Sequence, residues 1–234
     1  MSGPEFHEVE EVEGIYAPRD WPWAEAERAA LDAHWAKLAA GNDALFDGPV
    51  LLAHRWGVRD RRFEAAYFPT RYSRFIGWRD LGFADASVAN CFAMAALQGA
   101  DGAFILGEMG AATSNAGKIY FPAGTPDPKD VGGARVDLAA SALRELEEET
   151  GLTGADYAVA PRWTVLKLGQ RIACLRPIRC HLPAEAVVAQ IHAALERQEE
   201  RELSRMHVVR SRAEIDPARM PAFIVAFLER ALAR

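Results

Sequence analysis

A glutamate-rich run at residues 144–152, Arg-Glu-Leu-Glu-Glu-Glu-Thr-Gly-Leu, constrains the fold of this chain more than any other feature. The spacing of apolar residues predicts a helix over residues 138–150, which ends at the glycine that follows it. On such a helix Glu145, Glu148 and Glu149 share one face, because residues three and four apart are neighbours. The opposite, apolar face is then free to pack against a sheet.

The three carboxylates weaken the helix unless something neutralises them. Like charges at this spacing cost about 0.2–0.5 kcal/mol per pair, and the C-terminal end of a helix disfavours anions. A bound divalent cation would remove both penalties, and grouped oxygen ligands suit Mg²⁺ or Mn²⁺. The alternative is an acidic face in solvent, although no Lys or Arg stands four residues after any of the three. The residues alone leave both interpretations open.

The same run resembles the second half of the Nudix box, whose pattern is Arg-Glu-apolar-x-Glu-Glu-x-Gly-apolar. Residues 144–152 meet every fixed position of that pattern. Residues 120–124, Tyr-Phe-Pro-Ala-Gly, resemble the strand and glycine that open the box. Asp127 and Asp130 stand roughly where the family carries acidic residues after its glycines. The chain is therefore similar to Nudix hydrolases over both parts of the motif.

Two departures from the family pattern lie in the first half of the box. Ala123-Gly124 replaces the usual pair of glycines. Residues 131–136 form an insertion before the helix, so we predict an elongated loop over 127–136. Asp is a favoured N-cap and the apolar periodicity begins one residue later, so Asp137 is expected to cap the helix.

The resemblance implies a Mg²⁺- or Mn²⁺-dependent hydrolase. It would split the pyrophosphate bond of a nucleoside diphosphate linked to another moiety X, giving a nucleoside monophosphate and phosphorylated X. Glu145, Glu148 and Glu149 would hold the metal, with Glu145 and Glu148 also counted as catalytic. Arg144 would orient a glutamate through a charge-assisted hydrogen bond.

Further site residues come from the loop and from a late acidic segment. The resemblance implies substrate binding by Gly124, Asp127 and Asp130. A general base is sought among Glu199, Glu200 and Glu202, with Glu200 chosen as the catalytic residue. The alternative for this acidic segment is a charged helix end in solvent.

The pattern of elements indicates an α/β protein. It predicts a Nudix-like α/β/α sandwich around a mixed β-sheet, with an N-terminal helix and β extension. We divide the chain into an extension at residues 1–85 (acidic irregular tail, helix, β-hairpin) and a Nudix hydrolase domain at residues 86–234. Besides the helix at 138–150, we predict helices at 21–40, 183–197 and from 221, a hairpin within 49–75, and strands at 91–97, 103–106, 118–122, 163–168, 171–179 and 206–209.

Composition limits the partners and the compartment. Half of the residues are hydrophobic (50%) and 26% are charged, which is typical of a soluble globular protein. The net charge of −6 argues against a nucleic-acid partner, and no apolar run is long enough to cross a membrane. Three cysteines without CxxC spacing favour a reducing compartment, so we expect a cytoplasmic enzyme. The expected partner is a small-molecule nucleotide. Whether the chain forms a homodimer is left undecided by the sequence.

Two stretches near the N-terminus bear on the substrate. Residues 44–49 and 75–80 resemble parts of Nudix proteins that hydrolyse UDP-sugars. Two other classes of function stay open: a Nudix-fold nucleotide-binding or regulatory module without turnover, and a structural or interaction protein. Six aromatic and basic residues of the N-terminal region have two possible roles. They contact the substrate, by stacking a base or binding a sugar phosphate, or they are ordinary core and surface residues: Trp56, Tyr67, Arg71, Tyr72, Trp78 and Arg79.

Overall fold

The computed structural model describes residues 3–42, 45–198 and 201–233. Over these ranges the chain forms thirteen strands and six helices in a mixed α/β arrangement, as predicted. The strands are β1 (Glu5–Val9), β2 (Glu11–Tyr16), β3 (Pro49–Arg59), β4 (Arg62–Arg71), β5 (Asn90–Gln98), β6 (Phe104–Met109), β7 (Ile119–Tyr120), β8 (Val131–Gly132), β9 (Arg135–Val136), β10 (Tyr157–Val159), β11 (Trp163–Leu168), β12 (Arg171–Cys180) and β13 (Leu203–Val209). The helices are α1 (Pro22–Ala26), α2 (Arg28–Ala39), α3 (Tyr72–Asp80), α4 (Leu138–Thr150), α5 (Ala184–Leu195) and α6 (Ala222–Ala231).

The larger sheet carries the apolar strands of the second half of the chain. Its order over the described residues is β1-β11-β12-β5-β6-β13, with β10 beside β12 and β7 beside β6. Strands β12 and β5 are parallel, and the other pairs in this order are antiparallel, so the sheet is mixed as predicted. Strand β5 lies inside this order and is buried along most of its length, so it is a central strand of the larger sheet.

The smaller sheet has the order β3-β4-β2-β9-β8 and corrects two predictions. The acidic N-terminal stretch is not irregular, because β1 joins the larger sheet and β2 the smaller one. Most of its glutamates are exposed and pair with basic side chains, as Glu10 does with Arg61 at 3.1 Å and Glu5 with Lys167 at 3.1 Å. Such pairs let an acidic segment join a sheet edge without burying charge.

The second correction concerns residues 131–136, which we predicted to be loop. They form the β8–β9 hairpin, and β9 pairs with β2 through Gly14 and Val136. Val136 is buried in the core between the two sheets. A short strand pair was invisible in the sequence because its stability comes from the neighbouring sheet. Deleting these residues is therefore expected to lower the stability of the smaller sheet.

Helix α3 was not anticipated within the region predicted as a hairpin. Strand β4 ends at Arg71, and the backbone N–H of Ser73 donates to the Asp47 side chain at 2.7 Å, which starts the helix. Phe75 and Trp78, three residues apart, are then buried against α2 and β3. Apolar residues in this short run fit either period, so tertiary packing decided the outcome.

The two sheets pack face to face, and β5 contributes side chains to the cores on both faces of the larger sheet. Cys91 and Ala93 face the core shared with the smaller sheet, and Phe92 and Met94 face the core that contains α5 and α6. All three cysteines of the chain are free and buried. Within the described residues no helix combines the length and apolar character that crossing a membrane would need.

Candidate functional site

Helix α4 is fixed at both ends as predicted. The Asp137 side chain accepts a hydrogen bond from the backbone N–H of Ala140 at 2.9 Å, and Gly151 ends the helix with φ of 72°. Only glycine adopts this left-handed conformation readily, so the helix ends immediately after Thr150. Leu146 is fully buried on the inner face of α4. Glu149 and Glu145 lie against Ala123 and Gly124, in the loop that follows β7.

Glu149 is the most buried of the three helix carboxylates, at 5% exposure. Its Oε1 accepts a hydrogen bond from the backbone N–H of Ala123 at 3.2 Å. Its Oε2 is buried and has no hydrogen-bond partner among the described residues. Burial, followed by the charges of Glu145 and Glu202, raises the pKa of Glu149 well above its usual range. A buried, half-satisfied carboxyl is costly unless a ligand completes it.

Glu145 lies against Gly124, and the contact requires glycine. A Cβ placed on Gly124 would stand 2.5 Å from the Glu145 carboxyl carbon and Oε1. Burial raises the pKa of Glu145 to about 7, with Glu148 adding to the rise and Arg144 opposing it. Only glycine at position 124 leaves room for the Glu145 carboxylate in this arrangement.

Arg144 gathers three carboxylates. Its guanidinium lies 2.8 Å from Glu145 Oε1, 3.2 Å from Glu148 Oε2 and 3.0 Å from Asp130 Oδ1. These contacts fit the predicted orienting role better than a substrate contact, because the donors are already engaged by protein oxygens.

Asp130 lies in the interior, at 7% exposure. Besides Arg144, its carboxylate accepts from the backbone N–H of Asp127 at 3.0 Å and from the Ser141 hydroxyl at 3.2 Å. Its oxygens are therefore occupied by protein donors, which differs from the substrate contact that the resemblance implies for Asp130. Asp127, by contrast, lines the adjoining cleft together with Gly124.

Two further glutamates, Glu148 and Glu202, belong with Glu145 and Glu149 to what we call the acidic end of the site. Glu148 is exposed, with 61% of its side chain accessible. Glu202 lies just before β13, and burial followed by the charge of Glu148 raises its pKa. Glu202 was named with its neighbours as a candidate base, but the residue chosen was Glu200. Both Glu199 and Glu200 lie outside the described residues.

The acidic end can be tested for its fit to a divalent cation. Over residues 3–42, 45–198 and 201–233, no group of three or more His, Cys, Asp or Glu side chains is arranged to hold a metal ion. Arg144 pairs with Glu145 and Glu148 instead. Glu149 Oε2 is nevertheless a buried oxygen for which the described residues supply no hydrogen-bond donor. Oxygen donors of this kind fit Mg²⁺ or Mn²⁺.

A cleft of about 1310 Å³ opens beside these carboxylates. Gly124, Asp127 and Glu202 line the acidic end, while Tyr72 and Arg79 from the N-terminal region line it elsewhere. Of the six residues flagged for base or phosphate binding, only Tyr72 and Arg79 line this cleft. Tyr67 and Trp78 are fully buried core, Trp56 packs against the core between the sheets, and Arg71 pairs with Asp47 at 3.0 Å. Residue 44, the first of the stretch 44–49 whose sequence resembles proteins that hydrolyse UDP-sugars, lies outside the described residues.

Asn90 and Arg171 are among the cleft residues that sequence reasoning missed. They are partners in the parallel pairing of β5 and β12, far apart in the chain. Alternation along β5 was a usable signal, because Asn90 is a polar residue on the same strand face as Phe92. Nothing local to Arg171 indicated its neighbour.

Comparison with known proteins gives limited matches. No protein-family model and no curated protein matches the chain. Among solved structures it is similar to a MutT protein from Methanosarcina mazei Go1, with 19% identity, a TM-score of 0.38, and coverage of 61% of this chain and 92% of that one. It is also similar to RenU, a Nudix hydrolase from M. smegmatis, with 14% identity, a TM-score of 0.37, and coverage of 60% and 80%.

Proposed function

We propose that this chain is a Nudix-type hydrolase that cleaves the pyrophosphate bond of a nucleoside diphosphate linked to X, with Mg²⁺ or Mn²⁺ as cofactor. The products are a nucleoside monophosphate and phosphorylated X. One observation carries the proposal: Glu149 is buried, and its Oε2 finds no hydrogen-bond partner in the described part of the chain, on the helix whose sequence matches the second half of the Nudix box. A purely structural role would leave this costly oxygen unexplained.

The proposed metal ligands are Glu145, Glu148 and Glu149. When bound, the cation supplies charge neutralisation of the pyrophosphate and a lowered pKa for the attacking water. The raised pKa values of Glu145 and Glu149 reflect burial and mutual repulsion, which a cation offsets. The carboxylates therefore exchange protons for metal on binding, and affinity rises with pH.

The remaining residues of the acidic end hold these carboxylates in place. The Ala123 N–H fixes Glu149, and Gly124 leaves space for Glu145. Arg144 holds Glu145, and Asp130 holds Arg144. Asp127 and Gly124 line the cleft where the substrate's phosphates would bind.

For the general base we propose Glu202 beside the earlier choice, Glu200. Glu202 lines the cleft, and burial followed by the charge of Glu148 raises the pKa of its carboxyl, which strengthens it as a base. It would take the proton that the attacking water loses. Glu200 stays a prediction, since it lies outside the described residues.

As substrate class we propose UDP-sugars. Support comes from the resemblance of residues 44–49 and 75–80 to UDP-sugar-hydrolysing Nudix proteins. Phe75 and Arg79 of the second stretch, with the nearby Tyr72, line the cleft, where they offer a stacking surface and a cation. The N-terminal region would thus contribute to substrate choice, whereas α4 contributes the chemistry.

The test is hydrolysis of UDP-sugars, dinucleotides and ADP-ribose with Mg²⁺ in ¹⁸O-water, followed by mass spectrometry. We expect a nucleoside monophosphate, phosphorylated X, and label in one of the two phosphates. Label on a sugar hydroxyl with release of intact UDP would mean glycosidic cleavage and refute the mechanism. Tight binding of a nucleotide without turnover at any metal concentration would favour the alternative, a regulatory binding module.

A further inference from the structure

The cleft has a second end that the proposed chemistry does not use. Asn90, Phe92 and Met94 line it from one face of β5, because alternate residues of a strand point the same way. Farther along β5, the Ala95 N–H donates to the Pro122 carbonyl at 3.1 Å, beside the Ala123 that fixes Glu149. Five residues of strand, roughly 16 Å, therefore separate the Asn90 end from the acidic end.

Arg171 stands at this far end without a counter-charge. It is the register partner of Asn90, and its guanidinium lies 4.6 Å from the centre of the Phe83 ring. Among the described residues no carboxylate lies within ion-pair distance of it. Burial, with the nearby charge of Arg79, lowers the pKa of Arg171. A half-buried arginine without an anion is unfavourable unless a ligand supplies one.

Arg79 adds a second cation to the same end. It pairs with Asp80 at 2.8 Å and approaches Asn115 Oδ1 at 3.4 Å. Asp80 is shared, since His34 also lies 3.0 Å from it. Two guanidinium groups thus have one partly committed carboxylate between them. This end of the cleft carries net positive charge, in contrast to the glutamates at the other end.

Asn90 supplies an acceptor beside the cations. Its Oδ1 is buried and has no hydrogen-bond partner within the described residues. An acceptor next to two guanidinium groups suits a ligand that combines an anion with a hydroxyl or N–H. The apolar stretch between the ends, with Phe92 and Met94, suits the uncharged body of the same ligand.

Resting on the proposed function, we propose that Arg79 and Arg171 bind an anionic group of the substrate, a carboxylate or phosphate, at the end farthest from the scissile pyrophosphate. The pyrophosphate itself does not serve as this group, because Asn90, the strand partner of Arg171, stands five residues of strand, roughly 16 Å, from the Ala95–Pro122 contact beside the glutamates of α4. The enzyme would therefore prefer a nucleotide derivative that carries a negative charge beyond its pyrophosphate. Within the UDP-sugars, this favours a uronic acid over a neutral sugar.

The test uses pairs of probes that differ by one anionic group. UDP-glucose and UDP-glucuronate differ by a carboxylate, while NADH and NADPH differ by a phosphate. For each pair we compare kcat/KM in the wild type, and Kd by calorimetry in a Glu148→Gln variant. We expect the anionic member of one pair to be favoured about tenfold or more, as charge-assisted contacts allow. The pair that shows the preference identifies the group.

The variants are Arg171→Gln, Arg171→Lys and, as control, Arg59→Gln on the exposed end of β3. Arg171→Gln should abolish the preference in both kcat/KM and Kd while retaining hydrolysis of the neutral member. Arg171→Lys should restore part of it, and Arg59→Gln should change nothing. The melting temperature of each variant shows whether loss of the Phe83 contact has unfolded it.

The outcomes separate two failures. Hydrolysis of neutral and anionic members at equal rates, or a preference that survives Arg171→Gln, refutes the anion site and leaves the hydrolase intact. Absence of hydrolysis of every probe with Mg²⁺ refutes the proposed function. A preference in Kd alone, lost in Arg171→Gln, would keep the anion site on a binding module.

Discussion

The backbone N–H of Ala123 donates a hydrogen bond to Oε1 of Glu149 across 3.2 Å, which joins the loop after β7 to the last turn of α4. The bond fixes one oxygen of a buried carboxylate, and the other oxygen has no partner among the described residues. The next residue, Gly124, has no side chain and so leaves room for the Glu145 carboxylate. The two halves of the motif are thus interlocked through backbone contacts.

Gly124→Ala should reduce activity while leaving the fold intact. The new Cβ would stand 2.5 Å from the Glu145 carboxyl, the mobile end of a long side chain that can swing away. We expect kcat/KM to fall about tenfold or more, because misplacing a metal ligand by about 1 Å is expensive. Gly132→Ala is the control, since among the described residues nothing lies within 4 Å of its added Cβ. Equal kinetics for both variants would contradict the role of Gly124.

Glu148→Gln should remove activity by a factor of about 100 or more with little change in stability, because an exposed amide keeps the shape and loses the ligand charge. Its neighbour Glu147 is also exposed on α4. Glu147→Gln should therefore retain wild-type turnover. The measurement is kcat/KM with saturating Mg²⁺, alongside the melting temperature. Full activity of Glu148→Gln would end the metal-helix hypothesis.

Metal should stabilise the folded chain. A ligand that binds only the native state adds about 2.7 kcal/mol at 100 times its Kd, so millimolar Mg²⁺ or Mn²⁺ should raise the melting temperature. Glu149→Gln should lose most of this rise, since the unpaired Oε2 is removed. Differential scanning calorimetry with and without EDTA makes the comparison. An equal rise in Glu149→Gln would show that the metal binds elsewhere.

The metal-free protein should lose stability as the pH rises through neutrality. Folding raises the pKa of Glu145 from 4.5 to about 7, so folding favours its protonated form. The contribution is full below about pH 4.5 and is lost through about pH 7, on the order of 3 kcal/mol. Glu145→Gln mimics the protonated acid and should flatten this part of the profile. Urea titrations in EDTA between pH 5 and 8 measure it, and parallel profiles would contradict the prediction.

Gly14→Ala should destabilise the smaller sheet. A Cβ there would stand 2.5 Å from the Val136 carbonyl oxygen, which is backbone and cannot swing aside. We expect a loss of about 1–3 kcal/mol in the free energy of unfolding. Gly57→Ala on β3 has open space among the described residues and should be neutral or slightly stabilising. Denaturant unfolding of both variants decides, and equal stability would show that β9 is loosely held.

The sequence determined the local parts of this protein. Helix α4 was predictable with both ends, because the Asp137 cap, the apolar period and Gly151 all act within a few residues. The glutamate face followed from that period alone. The mixed sheet was predictable as a class, since short apolar runs alternated with turns and helices.

Tertiary structure decided the rest, because long-range pairing leaves no local signal. The β8–β9 hairpin exists only beside β2, and α3 only against α2 and β3. The choice of Glu202 as a cleft residue and the meeting of Arg79 with Arg171 depend on segments far apart in the chain. Burial likewise distinguishes Glu149 from the exposed Glu148, although the two are adjacent in the sequence. A carboxylate's pKa depends on desolvation and on neighbouring charges, which only the packed molecule supplies.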